Sequence, residues 1–205
     1  IGNGPMKVTE WVHNSYIQMV PSETFYDKDI VTVDSLKWAL MDDANSMLNG
    51  FNNGELDYIQ EVPVDEIPAL LDSGKLQVVD YVGTYYVTFN NNKAPFNDVR
   101  VREAFSLVID RNYIVENITQ TGQLPADGYV PAGVNDAAGP GGDDFRTVGG
   151  AFYSVENTDE AYQANCDKAR ELLAEAGFPE GQGFPVVEYL YNTNENHKAI
   201  GEALQ

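Results

Sequence analysis

Apolar residues recur with two different periods along this 205-residue chain, and the points where the period changes limit what it can fold into. A period of two marks a strand with one buried face, and a period near 3.6 marks a helix. Residues 1–40 follow the first rule. Val8, Glu10 and Val12 run to a turn at His13-Asn14-Ser15, Tyr16–Val20 follows, and Leu36–Leu40 makes a third run. Ala44, Met47, Leu48 and Phe51 then share one helical face. Asp42 or Asp43 is placed to accept from the first free amides, and Gly54 to end the helix. Leu56–Ile59 returns to an extended pattern, which completes a strand–helix–strand unit. Asp65 predicts the cap of a short helix through Leu71, with Pro68 tolerable only in the first turn. Gln77–Tyr81 and Thr84–Phe89 read as two more strands, broken by Asn90-Asn91-Asn92.

Beyond that break the helical period dominates. Asp98 is placed to cap a helix with the stripe Val101, Ala104, Phe105 and Val108, and Asp110 to start another carrying Ile114 and Ile118. Residues 122–150 are rich in Gly, Pro and Asp and read as a long surface loop. Ala169, Leu172, Leu173 and Ala176 share a helical face closed by Gly177 and Pro179. Val186–Tyr191 reads as a strand, and Asn192 or Asn194 as the start of a last helix. No internal repeat is present, and the pattern predicts an α/β fold with mixed rather than all-parallel sheets.

Hydrophobic residues make up 43% of the chain and aromatics 11%, spread throughout, so both halves can bury a core. The formal charge is −20, which repels nucleic acid and anionic lipid and excludes both as partners. The acidic residues are dispersed from Asp27 to Glu202, as expected of a solubilising surface. Cys166 is the one cysteine; it permits neither an internal disulfide nor a thiolate cluster and reads as an idle thiol near a helix start. No apolar run approaches the roughly 20 residues that span a bilayer, and no basic-then-apolar leader is present. The opening Ile1-Gly2-Asn3-Gly4-Pro5 and the stop at Leu204-Gln205, inside a helical pattern, suggest an internal segment of a longer protein.

No catalytic apparatus is visible. The two histidines are His13, in a polar turn, and His197, in the first turn of a helix, and neither has an orienting partner in sequence. Asn135-Asp136 and Asp143-Asp144 bracket a glycine-rich turn, but their spacing is not that of a calcium loop. Nothing singles out two of the 32 acids as a glycosidase pair. Gly139-Pro140-Gly141-Gly142 lacks the lysine and helix of a phosphate cradle, and Asn117-Ile118-Thr119 is discounted as a sequon inside a helical pattern. No catalytic residue, metal ligand or cofactor is therefore expected. The aromatics are more informative. Tyr85 and Tyr86 must face opposite sides of a strand, so one can enter a core while the other is presented outward beside the crossover. Tyr85, Tyr86 and Asn90 are the candidate ligand contacts, with core or sheet packing as the competing role for each tyrosine.

One stretch resembles a known family. Thr84-Tyr85-Tyr86-Val87-Thr88-Phe89-Asn90, then Ala94-Pro95-Phe96-Asn97-Asp98-Val99-Arg100-Val101-Arg102-Glu103-Ala104, then Ile109-Asp110-Arg111 is similar to the signature of the family 5 extracellular solute-binding proteins. Gly2-Asn3-Gly4-Pro5, Asp42-Asp43-Ala44-Asn45, Gly54-Glu55-Leu56-Asp57 and Lys168 through Gly177 agree in the same order. Tyr191-Asn192-Thr193 with His197-Lys198 resembles the oligopeptide-binding branch. The resemblance implies a periplasmic-binding-protein-like fold of the type II, peptide-binding class, whose two lobes close on ligand. It places residues 1–88 in the first lobe and residues 89–205 at the start of the second, a partial two-lobe fragment. It assigns scaffold duties to Asp98, Arg100, Arg102, Asp110 and Arg111, and puts much of the binding wall beyond Gln205, so the segment alone lacks a complete site. The implied protein is a non-enzymatic component of an ABC importer. It captures peptides outside the cytoplasmic membrane, in the periplasm or on a lipid anchor at the cell surface, and hands them to permease subunits. The segment itself is expected to be a monomer. Alternatives are an oligosaccharide or metal-chelate binder of the same family, a secreted hydrolase, and an adhesive surface domain.

Overall fold

A computed structural model describes residues 2–205. They form two compact units, divided between Pro63 and Val64. In the first, β1 (Met6–Val12), β2 (Tyr16–Pro21) and β3 (Leu36–Ala39) make an antiparallel sheet in the order β1-β2-β3. Asn14 takes the left-handed conformation that the first turn needs, at φ 59°. Thr9 is an extra residue in β1: Val8 faces Met19, and the next paired position is Glu10 with Gln18. The bulge moves Trp11 onto the face that Val8 occupies. The other face is mixed, with Lys7, Glu10, Gln18 and Lys37 beside Val12, Val20 and Ala39. The Tyr16 hydroxyl donates to Glu10 at 3.1 Å, and Lys37 Nζ lies 4.2 Å from the Tyr16 ring centre. Asp43 caps α1 (Ala44–Asn52) through a 2.7 Å bond from Ser46 N–H.

The second unit opens with a 3-10 turn, Val64–Glu66, leading into α2 (Ile67–Asp72), where Pro68 sits in the first turn as expected. Its centre is the packing of α3 (Val99–Leu107) on α6 (Asp159–Glu175). Ala104 and Leu107 meet Ala169 and Leu172, with Tyr153 and Leu173 alongside, and Val101 is fully buried. Phenylalanines extend this contact. Phe96 lies 4.9 Å from Phe89 and 5.2 Å from Phe105, while Phe184 lies 5.6 Å from Phe105 and 4.9 Å from Phe178, centroid to centroid. The chain of rings joins the end of the 84–89 segment, the loop before α3, α3 itself and the turn after α6.

The other helices of this unit are shorter than α6. Asp110 caps the short α4 (Arg111–Tyr113), which runs into a π-helical stretch, Ile114–Thr119. The 122–150 segment is not wholly loop. Asp144 caps α5 (Phe145–Gly149), and a bridge joins Asn135 to Asp144. Arg146 pairs with Asp127 and donates to the Val130 carbonyl at 3.2 Å, tying the glycine-rich turns together. Asn194 caps α7 (Glu195–Ala203), with His197 N–H as donor. Thr158 caps α6, which puts Cys166 in mid-helix rather than near a helix start. Asp159 and Glu160 in its first turn complement the positive end of the helix dipole.

Four expected strands do not form: Leu56–Ile59, Gln77–Tyr81, Thr84–Phe89 and Val186–Tyr191 carry no ladder. No backbone hydrogen bond joins 77–89 or 186–191 to another segment among the described residues. A strand exists only where a second strand takes up its N–H and C=O groups, and period-two patterning cannot reveal whether that partner is present. The paired strands are all antiparallel, so the strand–helix–strand unit expected over 36–59 lacks its second strand.

The signature arginines act as braces. Arg100 binds Asp98 through both side chain and backbone, and its Nη1 donates to the Glu175 carbonyl at the end of α6 at 2.7 Å. Arg102 donates to the Phe96 carbonyl, and Arg111 to those of Ser106 and Ile109 while stacking over Tyr153. The bonds from the Arg100 side chain, then from its backbone N–H, hold the Asp98 carboxyl at about 2, below its ordinary 3.8. A depressed carboxylate stabilises the fold above its unfolded value and loses that contribution as pH falls through the folded one. Asp98→Asn keeps the cap and removes the charge. Denaturant unfolding of the variant should show a deficit at neutral pH that narrows as pH falls from 3.8 toward about 2. A deficit unchanged over that window would place its origin outside the Asp98–Arg100 pair.

Candidate functional site

The three candidate ligand contacts lie in the second unit, where an extended segment meets the loop before α3. Tyr85 and Tyr86 contact different neighbours, as alternation requires. Neither enters a core: they are 54% and 55% exposed, which corrects the expectation that one would be buried. The reason is the unpaired segment itself, since without flanking strands neither face is covered.

Tyr85 joins an aromatic cluster built from three separate stretches. Its ring centre lies 5.3 Å from that of His197 on α7, and its hydroxyl is bonded to Tyr189. Tyr189 in turn stacks on Tyr191 at 5.8 Å. Burial, then the Tyr189 bond, pushes the Tyr85 phenol up to about 12, so it is a neutral hydroxyl at any physiological pH. His197 is oriented at both ends: its backbone N–H donates to Asn194 Oδ1 at 3.0 Å, and its Nδ1 lies 2.8 Å from Asn192 Oδ1. It is therefore a half-buried member of the cluster and not a lone surface residue. Gly201 makes room for the cluster, because a Cβ there would lie 2.9 Å from Tyr189 Cε1.

Tyr86 makes an edge contact with Tyr129 of the 122–150 segment at 5.2 Å, and a hydroxyl bond between them raises the Tyr129 phenol above its usual range. Asn90 is exposed. Its Oδ1 accepts from Asn92 N–H at 3.2 Å and its carbonyl from Lys93 N–H at 3.1 Å, a tight turn that ends the extended segment. The same segment borders an open depression of about 580 Å³ walled by Thr88, Phe89, Arg102, Glu103, Phe152 and Tyr153. Phenol hydroxyls, ring faces and one ion of each sign suit an amphipathic ligand.

The sequence reading missed the assembly of Tyr85 with Tyr189, Tyr191 and His197, and the pairing of Tyr86 with Tyr129. The Tyr189-x-Tyr191 spacing puts both rings on one side of an extended chain and was the available signal. Among the described residues no group of three or more His, Cys, Asp or Glu could hold a metal ion, and no helix is long and apolar enough to cross a membrane.

The model of the bacterial extracellular solute-binding proteins, family 5 (middle), matches residues 1–205. The chain belongs to that family. It is 36% identical over 206 residues to the dipeptide-binding protein DppE of Bacillus subtilis, and 30% identical over 207 residues to the periplasmic oligopeptide-binding protein OppA of Salmonella typhimurium. In both cases all of this chain is covered but only 36% of the relative. The structure of Haemophilus influenzae OppA in complex with RPPGFSPFR matches 99% of this chain and 38% of its own, with TM-score 0.79 and 25% identity. The expected class of fold is thus present, as part of a larger two-lobe protein. The relatives of this family 5 member are solute-binding proteins, not enzymes.

Gly201→Ala tests the Tyr85–Tyr189 bond. Alanine suits a helix, but its Cβ displaces the Tyr189 ring. The Tyr85 phenol, followed by NMR against pH, should then titrate below about 12, toward its ordinary 10.0. An unchanged midpoint would leave burial alone as the cause.

Proposed function

We propose that the protein containing these residues captures peptides outside the cytoplasmic membrane and delivers them to the permease subunits of an ABC importer. The observation that carries this reading is the family match over residues 1–205, together with relatives whose names record dipeptide and oligopeptide binding. Residues 1–88 belong to the first lobe and residues 89–205 to the second, with the Gly83–Asn92 stretch passing between them. Ligand is buried as the lobes close. Backbone-type hydrogen bonds supply the affinity, and water-filled pockets tolerate varied side chains. The protein works in the periplasm or on a lipid anchor at the cell surface.

Tyr85, Tyr86 and Asn90 contact the bound peptide. Two features support this. The tyrosines present ring faces and hydroxyls that no core absorbs, and Asn90 sits at the turn that fixes where they point. Tyr86 is the more revealing target, because its ring partner Tyr129 is itself 65% exposed and little packing depends on the pair. In the full-length protein, Tyr86→Ala should weaken peptide binding by roughly 2- to 10-fold, the range of one aromatic contact, with the melting temperature nearly unchanged. Calorimetry with a peptide that the intact protein binds makes the measurement. A lower melting temperature at unaltered affinity would make Tyr86 a packing residue.

A further inference from the structure

Tyr129 meets the Tyr86 ring, yet little side-chain packing holds Tyr129 itself, which is 65% exposed. Its direction must come from the backbone turn that carries it, and a glycine-rich turn does not keep one direction unaided. The side chain of Arg146 on α5 grips that turn on both sides of Tyr129. Its guanidinium pairs with Asp127, ahead of the tyrosine, and donates to the carbonyl of Val130, behind it, at 3.2 Å. Gly128 lies flush against the same group, since a Cβ there would run into Arg146 Nη1. Phe152 N–H closes the base of the turn on the Asp127 carbonyl at 2.8 Å. The helix that carries Arg146 is itself fixed to the residues that follow the turn. Gly133 N–H donates to Asp144 Oδ2 at 2.7 Å, and Phe145 N–H to the Val134 carbonyl at 2.8 Å. The Arg146 and Asp127 side chains are only 19% and 26% exposed, so water and salt screen this pair less than an ordinary surface pair.

We infer that Arg146 is a positioning residue for peptide binding: by clasping the 127–130 turn it fixes Tyr129, and through Tyr129 the direction in which Tyr86 meets the ligand. The inference rests on the reading of Tyr86 as a peptide contact. The chemistry of the clasp calls for arginine. A planar fork offers separate arms to a carboxylate and to a carbonyl, whereas the single ammonium of lysine cannot hold both in one geometry. Fixing Tyr129 before ligand arrives also lowers the entropy that an ordered contact at Tyr86 would otherwise cost on binding.

A double-mutant cycle in the full-length protein, with a peptide that the intact protein binds, tests this. Arg146→Lys should weaken binding roughly 2-fold or more, and by no more than Tyr86→Ala does. In the Tyr86→Ala background the same substitution should leave affinity unchanged. Equal losses in both backgrounds would overturn the inference, because Arg146 would then act by a route other than Tyr86. Unaltered affinity in Arg146→Lys, where Tyr86→Ala does weaken binding, would overturn it too. If Tyr86→Ala itself leaves affinity unaltered, the peptide-contact reading falls and takes the positioning role with it. A measurement without ligand keeps the two failures apart. The hydroxyl bond to Tyr86 raises the Tyr129 phenol, so in Arg146→Lys its NMR titration should move back toward the ordinary 10.0. An unchanged midpoint would show that Tyr129 is held without the clasp, and would overturn the inference whatever Tyr86 does. Should Arg146→Lys fail to fold, Asp127→Asn weakens the same grip at constant side-chain size, and the same outcomes decide.

Discussion

The guanidinium of Arg100 reaches 75 positions along the chain to the Glu175 carbonyl at the end of α6, while its own helix is capped by Asp98. That junction fixes how α3 lies on α6, and most of the second unit takes its position from the pair. Small residues at Ala104 and Ala169 let the helices approach, Leu107 and Leu172 fill the seam, and the phenylalanine chain carries the packing out to Phe89 and Phe184. Phe89 and Phe184 lie next to the two extended segments bearing the tyrosines. The arginines and phenylalanines of the family signature thus anchor the ends of the segments that present Tyr85, Tyr86 and Tyr189.

Helices were legible in the sequence because their signals are local. Asp43, Asp98, Asp110 and Asn194 each accept the bond that starts a helix, and apolar spacing shows which face turns inward. The extended segments were half legible. Alternation at 77–89 and 186–191 correctly separates the two sides of the chain, but pairing depends on residues far away in sequence, which no local pattern encodes. The short helix α5 inside the glycine-rich segment was hidden for the opposite reason. Its one signal, Asp144 ahead of Phe145, is submerged in a composition that favours turns.

For the site, the candidates were found by their place beside a break in pattern, and their neighbours were not. Tyr189 and His197 are more than a hundred positions from Tyr85, and only the fold brings them together.

Ligand class is the claim on which the rest of the functional account turns. The full-length protein can be purified without a refolding step, then denatured, and the small molecules it releases weighed and fragmented by mass spectrometry. The account predicts short peptides of mixed sequence, since contacts made mainly to a ligand's backbone select chain direction and length more than side chains. Release of saccharides, chelated metal or another non-peptide solute, with no peptide among the products, would contradict it.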